Sequence, residues 1–183
     1  MPLSENIPVV DTAWLTQVLG YQCQVAWGAA GIQFLHALAI SAAHLSVVTV
    51  CYRKSGTAIC ALAGLVAFEI LNWVQFQIVR PQLAGLACYC LVLALLTSQR
   101  WRTVYWMVIP GLLTLWANLH GSFVMGWLVL ACATAGRMLD VWCSTRRLSA
   151  IRQDRHARRL LGVTVLSVAA SLANPYGLRL FVE

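Results

Sequence analysis

Residues 28–50 contain no formal charge over 23 consecutive positions. At ~1.5 Å per residue, a helix of that length crosses a hydrocarbon core of ~30 Å. The run is not isolated. A soluble domain carries about 25% charged residues to clothe its surface, whereas this chain of 183 residues is 10% charged and 60% hydrophobic, with a mean hydropathy of +0.73. That composition excludes a water-soluble fold. The expected class is all-α: a polytopic integral membrane bundle of about six transmembrane helices, preceded by an amphipathic interfacial helix.

In chain order, residues 12–26 place Trp14, Leu15, Val18, Leu19, Val25 and Ala26 near a 3.6 period, interrupted by Thr16, Gln17, Gln22 and Gln24. This pattern predicts a helix lying in the membrane surface, with Asp11 at its N-cap. Crossings are predicted at 28–50, 57–79, 83–98, 103–116, 122–142 and 160–173, with Pro110-Gly111 as a kink in the fourth. The whole of 1–183 forms one membrane domain: an outer segment 1–27, then a bundle 28–183 with a basic loop at 143–159. Residues 1–12 show no basic region followed by an apolar stretch, so no cleavable leader is expected and the first crossing serves as its own insertion signal.

Charge assigns the sides. Of 13 basic residues, 11 (Arg53, Lys54, Arg100, Arg102, Arg137, Arg146, Arg147, Arg152, Arg155, Arg158, Arg159) fall at alternate ends of the predicted crossings. By the positive-inside rule that side is cytoplasmic. The net charge of +7 is then a topology anchor beside anionic lipid, and nucleic acid is not an expected partner. The seven cysteines lie mostly in apolar runs without a C-x-x-C pair, and read as small fillers; Cys88 and Cys90 are expected on different sides of their helix.

The polar oddities gather on the opposite side. Trp116-Ala117-Asn118-Leu119-His120-Gly121 reads as a short extramembrane hairpin between two apolar helices, with the Trp ring buried and its N–H wet. His120 is a candidate general base, metal ligand or sugar-phosphate contact, with Asn118 as its orienting amide. Arg80 is a lone cation suited to phosphate, beside Pro81 and Gln82. Asn174-Pro175-Tyr176-Gly177 is a turn that brings Tyr176 to the same side. Asp11 is either a carboxylate of the site or a helix cap. Glu69, an acid inside a crossing, is either functional or an interhelical hydrogen-bond partner. His36 and His44, eight residues apart, lack the partner histidines that haem ligation requires.

The ordered set Asp11-Thr-Ala-Trp14-Leu15-Thr-Gln17, Arg80-Pro81-Gln82, Trp116 to Gly121 and Asn174 to Gly177 resembles bacterial polytopic proteins of the GT-C glycosyltransferase-like class, many of them uncharacterised. The resemblance spans roughly residues 8–180. It implies sugar transfer from a polyprenyl-phosphate donor at the outer face of the bacterial cytoplasmic membrane. It further implies an outer-loop aspartate, here Asp11, as catalytic base, often with a divalent cation. His120 would complete the catalytic pair, while Arg80, Gln82, Trp116, Asn118, Tyr176 and Glu69 would bind substrate. Those proteins begin with an additional helix and continue beyond the Asn-Pro-Tyr-Gly turn, so the resemblance implies a fragment or truncated form. Two other readings stay open: a non-catalytic membrane module, and a transporter with Glu69 as coupling acid. Absence of an internal repeat counts against the second.

Overall fold

A computed structural model of the chain describes residues 12–98 and 100–177. Among the described residues there are helices and turns but no strand. Helix α1 (Trp14–Trp27) stops at Gly28, whose φ of +61° with ψ of −146° is open only to glycine. The chain turns there into α2 (Ala29–Ser55), and the two pack together because Gly31 presents no side chain to the Cys23 backbone. With 14 residues, about 21 Å, α1 is too short to cross a bilayer. Its cap position is held by Ala13, where the sequence suggested Asp11; Asp11 itself lies outside the described residues.

Gly56 closes α2 in the left-handed conformation, and the Thr57 hydroxyl caps α3 (Ala58–Phe76) by accepting from the Cys60 N–H. Next come α4 (Gln82–Leu96) and α5 (Tyr105–Leu119). A 3₁₀ turn (Gly121–Phe123) leads into α6 (Val124–Thr145), followed by α7 (Leu148–Gln153) and α8 (Arg155–Ser171).

The core is built by α4, α5, α6 and α8. Val92, Ile109, Leu113, Trp116, Phe123, Leu130 and Val163 meet there, each nearly or wholly excluded from solvent. Helix α4 is sandwiched between α2 and the α5–α6 pair, so Cys88 and Cys90 are both buried although they leave the helix in different directions. Helix α3 is outermost and packs mainly on α2. Its far face exposes Ile59, Ile70, Leu71 and Val74, with Leu71 at 83%. In water such a face would be a severe liability; in hydrocarbon it costs nothing. Helices α2, α3 and the segment Gly121–Thr145 are long and apolar enough to cross a membrane, and α4 and α5 are shorter apolar helices of 15 residues.

Two stretches differ from expectation. The basic region 143–159 is not a loop: it contains the end of α6, all of α7 and the first turn of α8. Asp154 explains this, because its side chain accepts from the Ala157 N–H at 2.7 Å and starts α8 five residues before the apolar run. Residues 116–119 are likewise not a hairpin outside the bundle but the last turn of α5. Trp116, Ala117 and Asn118 are buried by neighbouring helices, so that turn stays helical.

Candidate functional site

The ends of α5 and α8 and the start of α1 converge on Asn118. Its Oδ1 accepts from the Trp14 indole N–H at 3.1 Å, and its Nδ2 donates to the Thr114 carbonyl at 2.8 Å and the Ala173 carbonyl at 3.0 Å. One residue on, the Thr16 hydroxyl donates to the Leu119 carbonyl at 2.7 Å. From the other side Asn174 Nδ2 donates to the Ala117 carbonyl at 2.8 Å, while its Oδ1 accepts from the Tyr176 N–H at 2.9 Å and shapes the turn. Three segments far apart in sequence are thus tied at one end of the bundle. Asn118 and Trp116 are buried, with their polar groups satisfied inside the protein. The Trp116 N–H, expected to be wet, donates instead to Ser122 Oγ at 3.1 Å because the whole ring is drawn into the core.

Ser122 continues that chain to His120. The Ser122 backbone N–H donates to His120 Nδ1 at 3.1 Å, and Ser122 Oγ lies 2.8 Å from the same nitrogen. An atom that accepts from a backbone N–H carries no proton, so Nδ1 is the acceptor and the neutral ring holds its proton on Nε2. Burial pushes the imidazole below its ordinary pKa and favours this neutral form. No partner for Nε2 occurs among the described residues. His120 therefore keeps an Nε2 hydrogen-bond donor that no described residue uses. Gly85 of α4 makes room for this turn, since a Cβ there would lie 2.5 Å from Ser122 Oγ. Thr12 packs against Gly121, with its Oγ1 3.1 Å from the place a Cβ would occupy.

Beside this cluster is a cavity of about 420 Å³ walled by α1, α2 and α4. Its lining is almost wholly apolar (Leu19, Ile32, Leu35, Leu83, Ala84 and Ala87 among others), with Thr16, Gln17, His36 and Arg80 as polar members and Leu119 of α5 at its edge. Arg80 is exposed in the linker between α3 and α4 and makes no ion pair among the described residues. Gln82 is exposed at the first position of α4, and Tyr176 is half-buried beside Asn174.

Glu69 is elsewhere. It belongs to the α2–α3 interface, where its Oε2 lies 2.6 Å from His44 Nε2. The sequence singled out both residues without pairing them. Ser122 and Gly85 were not singled out at all; the only signal was a glycine inside an otherwise continuous apolar helix. Among the described residues no set of three ligating side chains occurs that would hold a metal ion. No protein-family model matches the chain, and no curated protein or solved structure shows significant similarity to it.

Proposed function

We propose that the chain is a six-crossing protein of the bacterial cytoplasmic membrane, or a part of one, that acts at the outer face on a sugar carried by a polyprenyl phosphate. The reading is that of a GT-C-like glycosyltransferase. The observation that carries it is the apolar cavity with Arg80 at its rim, adjacent to the His120 cluster. An isoprenoid segment suits the hydrocarbon lining, and the guanidinium suits the phosphate that follows it. Gln82 and Tyr176 in this reading contact the polar head of the donor, while Asn118 and Trp116 hold the turn in shape. In this reading Asp11 takes the proton of an acceptor hydroxyl as that oxygen attacks the sugar's anomeric carbon. The bond from that carbon to the phosphate oxygen breaks, and the lipid phosphate leaves beside Arg80. His120 donates from Nε2 to an oxygen of donor or acceptor, and does not remove a proton.

Purified chain in nanodiscs, titrated with a polyprenyl-phosphate sugar, tests the proposal. Arg80→Ala is expected to weaken binding about 10- to 100-fold, the loss of one charge-assisted contact. Asp11→Asn should abolish transfer while leaving binding intact. Equal binding by wild type and Arg80→Ala would remove the phosphate role, and the proposal with it.

A non-catalytic membrane module has one observation in its favour: Trp116, Asn118 and Asn174 are satisfied within the fold, as structural residues are. Lipid-sugar binding without turnover by any acceptor in the source membranes would select it.

A further inference from the structure

We infer that His44 and Glu69 form a proton-binding site within the membrane, and that its single proton latches α3 to α2. The inference is independent of what the cavity holds. His44 Nδ1 lies 2.8 Å from the Ile40 carbonyl, which can only accept, so Nδ1 carries a hydrogen. His44 Nε2 then faces Glu69 Oε2 at 2.6 Å, a distance that needs one proton between them. With the proton on the ring the pair is imidazolium and carboxylate; with it on the oxygen the pair is neutral imidazole and carboxylic acid. Either way the net charge is zero, the form an apolar surrounding tolerates. Take the proton away and two lone pairs face each other around an uncompensated negative charge.

The setting makes the proton matter. The rings of Phe68 and Phe76 flank His44 with centroids at 5.7 and 5.2 Å, while the Glu69 side chain is 39% exposed on the surface of the bundle. Helix α3 packs mainly on α2, and the other polar tie between them is His36 Nε2–H donating to the Phe76 carbonyl at 3.0 Å. The remaining titratable groups on the elements around the pair are Cys51, Cys60, Cys88, Tyr89 and Cys90, with Tyr21 and Cys23 on α1. Tyr52, Arg53 and Lys54 lie at the far end of α2, where Arg53 Nη1 donates to the Ala94 carbonyl. Thus no formal charge other than Glu69 itself lies beside His44 among the described residues.

Glu69→Gln separates the proton from the hydrogen bond, because the amide stays uncharged and can donate its N–H to neutral His44 Nε2 or accept from the imidazolium through its carbonyl oxygen. In nanodiscs containing the full chain, the thermal midpoint of wild type is expected to fall relative to Glu69→Gln as pH rises through the loss of the proton. Infrared difference spectra of wild type against Glu69→Gln should show carboxyl and imidazole bands changing together in one step. Midpoints that run parallel across the pH range would overturn the inference. So would a Glu69 carboxyl step that is unchanged in His44→Phe. Should either variant fail to fold, wild-type spectra still decide: carboxyl and imidazole changes at separate pH values would sink the shared proton.

Discussion

Gly85 shows how little room the polar end leaves. A Cβ at this position would sit 2.5 Å from Ser122 Oγ and 3.1 Å from Trp116 Nε1, so Gly85→Ala must displace the serine that links Trp116 to His120. Overpacking of this kind costs about 1–3 kcal/mol. Ser122→Ala removes the obstructing oxygen, so the double variant should melt above the value expected from adding the single losses. Thermal midpoints in detergent measure that coupling, and additive losses would show that the contact is not the cause. Part of this was legible residue by residue. An amide and an imidazole beside a glycine, at the join of two apolar helices, announce a polar end because hydrocarbon does not tolerate them unpaired. Their partners were not legible, since Trp14 and Asn118 are 104 positions apart and hydrogen-bond geometry leaves no trace in composition.

At the level of elements, helix ends are set by single side chains. Asp154 starts α8 by accepting from the Ala157 N–H and also binds Arg137 of α6 through contacts of 2.7 and 3.2 Å. These hydrogen bonds hold its carboxyl down to about 2, from an ordinary 3.8. A carboxylate with a depressed value stabilises the fold fully above its unfolded pKa, and that contribution disappears as pH falls from 3.8 through about 2. Asp154→Asn keeps a capping oxygen but lacks the charge. Its deficit relative to wild type should therefore be present at pH 6 and nearly gone at pH 2, read from thermal midpoints. Asp154→Ala should be lower still at pH 6, by about 1 kcal/mol for the lost cap. A constant Asn deficit across that range would mean that the charge contributes nothing. The same residue explains why the helical character of 148–159 was missed: the arginine block dominates hydropathy, whereas one aspartate decides where the helix begins.

Across the whole molecule, alternation of charge and alternation of helix direction agree. Arg53 bonds the carbonyl of Ala94 at one end of the bundle, and Arg137, Asp154, Trp101 and His156 gather at that end too. Thr16, Arg80, Leu119 and Asn174 lie at the other. Apolar length made α2 and α3 readable from sequence, even with Glu69 inside α3, while α4 and α5, at 15 residues each, are about 22 Å long, shorter than a hydrocarbon core of ~30 Å. Helix α5 is fastened to α8 and to the turn after it through Thr114, Asn118 and Asn174. Because arginine is retained on the side from which a helix is inserted, the proposed function requires the Arg53–Arg137 end to face the cytoplasm and the His120 end to lie outside. A phosphatase reporter fused after Ser122 should then be active, and one fused after Arg147 silent; a cytoplasmic reporter should give the reverse. The pair of fusions brackets α6 alone, so its outcome does not depend on how many other helices cross. If both positions report the same compartment, α6 does not span, the convergence of motifs at one end loses its link to a membrane face, and a lipid-linked substrate has no surface from which to reach His120.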